Sequence, residues 1–127
     1  LGENDLNHLT VDSLVDHLNN YVKSIITLSH PLVVIVSQLF PMPNHISRHN
    51  ITGINEALSA ACDAINQCPV VVSGNPTTRV VFLRHRFGIW GSNSASLFSD
   101  GIHMTELGMH RYFHSVHNAI GSAITSL

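Results

Sequence analysis

The chain has 127 residues, of which 44% are hydrophobic and 11% charged, and its formal net charge is −2. These values predict one globular domain spanning residues 1–127 and exclude a disordered chain. The charge provides no electrostatic footprint for nucleic acid or an anionic membrane, and the longest apolar run, 31–36, is too short to cross a bilayer.

The amino-terminal residues LGENDLNHL contain neither a basic segment nor a long apolar one. We therefore predict no signal peptide and favour a cytoplasmic location. The first residue is Leu rather than Met, which indicates a piece of a longer chain. The two cysteines, Cys62 and Cys68, match no zinc-binding spacing and are expected to be reduced and inert.

The first predicted element is a helix that follows Thr10, a favourable N-cap, and ends at Ser29-His30-Pro31. Apolar residues recur at helical intervals throughout it. The next segment, LVVIVSQ, is a short β-branched run typical of a strand that is buried on both faces in a parallel sheet. The loop after it contains Pro41 and Pro43.

A second helix is predicted over 52–66, and RVVFLRH predicts a second buried strand. The segment PVVVS between them fits either a strand or a loop, and 86–99 is a loop rich in Gly and Ser. The last helix is predicted over 105–126, with five residues facing the core: Leu107, Tyr112, Val116, Ile120 and Ile124. This alternation predicts an α/β fold with a parallel sheet. Two or three strands are too few for such a sheet, so further strands are expected upstream of Leu1.

Two short motifs carry the candidate chemistry. In the first, Gly2 allows close backbone approach and Asn4 offers an amide donor suited to an oxyanion hole. An alternative is an ordinary turn in which Gly2, Asn4 and Asp5 serve local hydrogen bonding. In the second motif, Asp100 lies three residues before His103 and can hold its imidazole in one tautomer. The alternative here is a solvated turn histidine beside an aspartate.

The order of these motifs resembles the SGNH, or GDSL-type, family of esterases, lipases and acetylhydrolases. Gly2, Asn4 and Asp5 fill that family's G-x-N-D block, and Asp100 and His103 fill its D-x-x-H block. The text VVIVSQLFP is similar to the family's fourth strand and its exit loop. The text DGIH followed by GMHRYFHSVHNAI is similar to SGNH-like domains that accompany retroelement reading frames in animals.

The resemblance implies a flavodoxin-like, three-layer α/β/α parallel sheet that is truncated at its amino end. It also implies a carboxylic or acetyl ester as substrate and no cofactor, because this chemistry needs only side chains and backbone. His103 would be the general base, Asp100 would orient it, and Asn4 would donate to the oxyanion. Gly2 and Asp5 would support that turn, and Thr105 would cap the closing helix.

The chain departs from the family because no G-D-S block with its nucleophilic serine is present. Ser37 ends a strand without a nucleophile turn, Ser73 lies in a connection, and Ser99 is too close in sequence to His103. We therefore expect the chain alone to be inactive, with the nucleophile lying before residue 1. The alternative function is a non-catalytic binding module that keeps the fold, and the resemblance to retroelement-associated domains implies its origin.

The other histidines form no catalytic pattern. Three of them, His110, His114 and His117, have the i, i+4, i+7 spacing of metal ligands, but the same helix offers no Cys, Asp or Glu except Glu106 to complete a coordination shell. A solvated polar helix face is the favoured interpretation, and no metal is predicted. Five further histidines are interpreted as surface or loop residues: His8, His17, His45, His49 and His85.

Overall fold

The computed structural model describes residues 10–40, 51–86, 96–98 and 103–127. Within them the element order is α1 (Val11–Ser29), β1 (Val33–Ser37), α2 (Ile51–Gln67), β2 (Arg79–Leu83) and α3 (Glu106–Thr125). No helix in these parts of the chain is long and apolar enough to span a membrane.

Helix α1 begins and ends where its sequence predicts. The Thr10 hydroxyl accepts a hydrogen bond from the Ser13 backbone N–H at 3.1 Å, which satisfies one of the free donors of the first turn. At the other end, His30 adopts the left-handed conformation with φ of 50°, and its N–H donates to the Ile26 carbonyl. Pro31 follows this cap and cannot continue the helix.

The two strands pair in parallel, with Val33 opposite Arg79 and Ser37 opposite Leu83. Helix α2 connects them, which is the crossover that a parallel pair requires. The α/β class and the parallel pairing are therefore confirmed. The segment PVVVS, which fitted either a strand or a loop, contains no strand.

Helices cover both faces of the strand pair. On one face, α1 and α2 form the main core together with alternate strand residues Val34, Val36, Val80 and Phe82. Residues of opposite parity point to the other face, where α3 lies. Arg79 donates to Ser126 there, near the end of α3.

Two asparagines of α2 hold the strands through paired hydrogen bonds. Asn66 accepts from the Val80 N–H at 2.9 Å and donates to the Val80 carbonyl at 2.7 Å. The Arg79 N–H donates to the Leu32 carbonyl, on the side of β1. Because the backbone groups of successive strand residues point to opposite edges, the Val80 N–H and carbonyl point to the outer edge of β2, away from β1. Buried Asn55 makes the same paired contact with Leu39, at 2.8 and 2.9 Å.

Two burial predictions need correction. Along its whole length β1 is only half-buried, although a strand buried on both faces was predicted. In α3 only Gly108 and Ala123 are buried, and three of the residues predicted to face the core are exposed, namely Leu107, Ile120 and Ile124. The physical reason is the same in both cases, because a sheet of two strands is too narrow to cover the apolar faces beside it.

Asn55 provides a test of these paired contacts. Asn55→Ala leaves the Leu39 N–H and carbonyl without their partner in a buried setting, so we expect the free energy of unfolding to fall by about 2–4 kcal/mol. Asn75→Ala is the control, because the Asn75 amide makes only an exposed bond to the Ser73 carbonyl. Urea unfolding measures both changes. Equal stability of the two variants would contradict the role given to Asn55.

Candidate functional site

Of the predicted site residues, His103 is described by the structure and is exposed. Gly2, Asn4, Asp5 and Asp100 lie outside the described residues, so the predicted contacts among them and His103 stay predictions. The structure does define the position of the segment that carries His103.

That segment lies at the carboxyl edge of the sheet. Met104, next to His103, forms an antiparallel bridge with Phe98. Both side chains pack with Phe40, which follows the carboxyl end of β1, and the Phe40 and Phe98 ring centroids are 6.3 Å apart. Open α/β sheets bind their ligands at this edge.

Helix α3 starts at this edge and runs back along the sheet. Its Ser115 contacts His85, just beyond β2, and its Ser126 contacts Arg79, where β2 begins. The ten residues from Glu106 to Ser115 span about 13 Å along the helix axis, so the start of α3 lies beyond His85 and the end of β2. The amino-terminal end of α3, and His103 before it, overhang the carboxyl edge.

Thr105 is the N-cap of α3, as predicted. Its hydroxyl accepts from the Gly108 N–H at 3.1 Å and donates to the Ser96 carbonyl at 2.8 Å. Its own N–H donates to the Leu97 carbonyl at 2.8 Å. These bonds join the start of α3 to the segment before His103. A glycine is required at 108, because a Cβ there would collide with the Leu97 carbonyl oxygen.

Sequence reasoning missed a hydrogen-bonded chain of three side chains. The Ser37 hydroxyl lies 2.8 Å from Nε2 of His85, and the Ser115 hydroxyl lies 2.7 Å from Nδ1 of the same ring. This chain joins the carboxyl ends of β1 and β2 to α3. The prediction that His85 is a surface or loop histidine with no constellation is wrong. The signal available in the sequence was its position at the end of the predicted strand RVVFLRH.

The surroundings of His85 indicate a structural role. The imidazole is only 3% exposed, and the Phe40 and Tyr112 rings lie against it with centroids 5.2 and 5.1 Å away. Burial lowers the pKa of His85 below its ordinary value. A neutral ring has one donor and one acceptor nitrogen, and the two hydroxyls can serve both. The partner of Nδ1 is a hydroxyl, whereas a hydrolase triad places a carboxylate there.

The described residues give little indication of metal binding or of thiol chemistry. They contain no group of three or more His, Cys, Asp or Glu side chains that could hold a metal ion, so His110, His114 and His117 do not form one. Cys62 is buried and Cys68 is exposed, and both are free thiols. Burial, with a contribution from Asp63, raises the pKa of Cys62 to about 11, which makes this thiol a poor nucleophile.

Comparison with known proteins adds no assignment. No family model matches the chain, and no curated protein or solved structure is significantly similar to it.

The contact between Gly108 and Leu97 is testable with a matched pair of helix glycines. Gly108→Ala is expected to lower the free energy of unfolding by about 1–3 kcal/mol, because the new methyl group must displace the Leu97 backbone. Gly121→Ala meets no atom within 4 Å and is expected to raise it by about 0.5–1 kcal/mol. Thermal melts check both signs. A stabilised Gly108→Ala variant would show that the segment 96–98 does not pack there.

The lowered pKa of His85 predicts how the free energy of unfolding depends on pH. Its pKa in the folded chain is below the ordinary value of 6.5, so the unfolded chain binds more protons between those two values. The free energy of unfolding should therefore fall as the pH drops below about 6.5. In the His85→Gln variant the free energy of unfolding should fall less over this pH range. In the control variant His117→Gln, which changes an exposed histidine, it should fall as much as in the unchanged protein. Urea unfolding from pH 8 to pH 5 measures the slopes, and identical slopes in all three proteins would refute this assignment.

Proposed function

We propose that this chain is the carboxyl-terminal part of an SGNH-type serine hydrolase that cleaves carboxylic or acetyl esters. The observation that carries the proposal is the position of His103, exposed at the carboxyl edge of a parallel sheet and two residues before Thr105, the N-cap of α3. A general base for acyl transfer needs this setting, because it must be accessible to substrate yet fixed by a rigid element.

In this proposal His103 takes the proton from a serine hydroxyl as its oxygen attacks the ester carbonyl carbon. Asp100 holds the imidazole in the correct tautomer and stabilises its charged form. Asn4 donates to the oxyanion that develops, a contribution of typically about 3 kcal/mol. His103 then gives the proton to the departing alcohol oxygen as the ester bond breaks. Water hydrolyses the acyl-enzyme by the same two proton transfers.

The 127 residues contain no G-D-S sequence, so they do not include the block that carries the family's nucleophilic serine. Ser37 is hydrogen-bonded to an imidazole, yet that imidazole is 3% exposed and packed against two aromatic rings. A base in that position has no access to an alcohol leaving group. The proposal therefore assigns the nucleophile to a G-D-S block outside residues 1–127.

The same proposal includes a flavodoxin-like, three-layer sheet with further parallel strands beside β1. Asn66 occupies the outer edge of β2, so a strand cannot pair with Val80 there. Helices α1 and α2 share one face, and right-handed crossovers are the rule. A strand that precedes α1 would then lie at the other edge of β1, opposite β2.

The apolar surfaces around that edge support this arrangement. A cleft of about 420 Å³ lies along β1 and is lined by Leu18, Tyr21, Ile25, Ile35 and Tyr112, among others. On α3, four exposed apolar residues lie on the side of the helix away from the β2 edge: Met109, Phe113, Ile120 and Ile124. Added strands would cover these side chains as well as the strand edge.

The second candidate function is a non-catalytic binding module that keeps the fold. The observation that favours it is the lack of a G-D-S block among the 127 residues, together with a Ser37–His85 pair that is built into the packing. Such a module would have lost the chemistry while keeping the cleft along β1.

The test compares two proteins in the hydrolysis of p-nitrophenyl acetate. One is the protein encoded by the whole reading frame, and the other is residues 1–127 alone. We expect the whole protein to hydrolyse the ester and residues 1–127 to be inactive. His103→Ala in the whole protein should reduce kcat/KM by about 10⁴-fold, because it removes the proton carrier. His117→Ala is the matched control on the exposed surface of α3 and should retain activity within about twofold.

A fluorophosphonate probe, which reacts with activated serines, identifies the nucleophile in the same proteins. Labelling of a G-D-S serine that is lost in His103→Ala supports the hydrolase. Labelling at Ser37 in residues 1–127 would overturn the assignment of the nucleophile. If the whole protein neither reacts nor hydrolyses esters, the binding module stands instead. An active protein that is insensitive to His103→Ala would overturn the mechanism.

A further inference from the structure

A second cavity lies at the carboxyl edge of the sheet, beside the first turns of α2. Its volume is about 340 Å³, and we call it the glutamine cavity. In the described part of the chain it shares no lining residue with the cleft along β1. Its lining combines the residue after β1, three residues of α2 and two residues after β2: Gln38, Thr52, Asn55, Glu56, Arg84 and Arg86.

Gln38 brings an unpaired hydrogen-bond donor to this cavity. The residue is only 5% exposed, and its Nε2 group has no hydrogen-bond partner among the described residues. Its backbone N–H donates to the Leu83 carbonyl, so Gln38 continues the alternation of β1. The side chain therefore points to the same face as Val34 and Val36, where α2 lies. The last torsion of a glutamine side chain is broad, so Nε2 can turn to an acceptor held in the cavity.

The lack of a partner is unusual within this protein. The other three buried polar residues that the structure describes are Asn55, Thr78 and His85, and each is hydrogen-bonded through its side chain. Gln38 is the exception, and it is also the one whose unpaired group belongs to the wall of a cavity. A buried donor without an acceptor is unfavourable, so a bound molecule that supplies an acceptor oxygen would be stabilised there.

The other uncommitted side chains of the glutamine cavity are donors as well. Arg84 is already paired with Glu56 at 3.0 Å, so neither of them is counted. Thr52 and Arg86 are exposed and are bonded to no other described side chain. A carboxamide, a hydroxyl and a guanidinium group can donate together to the two oxygens of one carboxylate. Helix α2 begins at Ile51 with no acidic residue in its first turn, and its dipole there also favours an anion.

We propose that the glutamine cavity binds the carboxylate group of a small molecule, with Gln38 donating to one carboxylate oxygen. The volume of the cavity lies within the range of small-molecule sites, about 300–1,000 Å³. A carboxylate is favoured over a phosphate dianion because Arg84 is matched by Glu56, which leaves the single charge of Arg86 in the described lining. The proposal is independent of the proposed hydrolase, since it makes no use of His103.

The test titrates the 127-residue protein with sodium acetate at pH 7 and constant ionic strength, and it follows backbone amide resonances by NMR. We expect saturable shifts around Gln38, Thr52 and Arg86. Acetamide has nearly the same shape as acetate but no charge, so its Kd should be at least about tenfold higher. Acetamide that binds as tightly as acetate would show that the cavity does not select a carboxylate.

The variant Gln38→Met keeps the length of the side chain and removes its amide. The Kd for acetate should rise by about tenfold, because a hydrogen bond to a charged group is lost. The melting temperature without acetate should stay the same or rise, since the unpaired donor is removed as well. Gln67→Met is the matched control at an exposed glutamine, the last residue of α2, and should change Kd by less than about twofold.

The charged contact is tested in the same way. Arg86→Gln should raise the Kd for acetate by about threefold, whereas Arg79→Gln, which removes the same charge at the start of β2, should change it by less than about twofold. Unchanged affinity in Gln38→Met, or shifts that do not saturate, would overturn the proposal and leave water as the content of the cavity. Inorganic phosphate is the last arm. If it binds more tightly than acetate and depends on the same two residues, the carboxylate is the wrong ligand class.

Discussion

The parallel pairing of β1 with β2 is the constraint on which the rest of the structure depends. Parallel strands end at the same edge, so this pairing brings Ser37 and His85 together and sets Phe40 beside them. These side chains form the surface that receives α3 through Ser115 and Tyr112. The direction of α3, and with it the position of His103, follows from that contact.

A narrow sheet explains several features that look unrelated. Two strands leave the outer edge of β1 without a strand among the described residues, and they leave apolar residues of α3 exposed. The outer edge of β2 is different, because the Asn66 amide takes the place of a neighbouring strand. Among the described residues the sheet is therefore asymmetric, with one strand edge closed by a side chain and the other without a partner strand beside an apolar cleft. An unpaired strand edge is in general a site for strand addition or for aggregation.

Local signals in the sequence were sufficient for the elements but not for the contacts between them. Thr10, Thr105 and the left-handed His30 act within one turn of chain, so their roles could be predicted from neighbouring residues. The roles of His85, Asn55 and Asn66 depend on partners 14 or more residues away, and no local pattern specifies them. The burial predicted for the apolar side of α3 assumed a sheet wide enough to cover it. Of the candidate site, His103 and its helix cap could be located, whereas its partners lie outside the described residues.

Helix α3 carries the position of His103, because contacts at three points hold the helix. Thr105 fixes the first turn of this helix, Ser115 fixes its middle on His85, and Ser126 fixes its end on Arg79. These contacts set the direction of the helix, and the segment that contains His103 is joined to it through Thr105. A histidine at the carboxyl edge acts in acyl transfer only with a nucleophile and a carboxylate. The proposed hydrolase therefore depends on Asp100 and on a serine outside residues 1–127, and the position of His103 alone does not supply the activity.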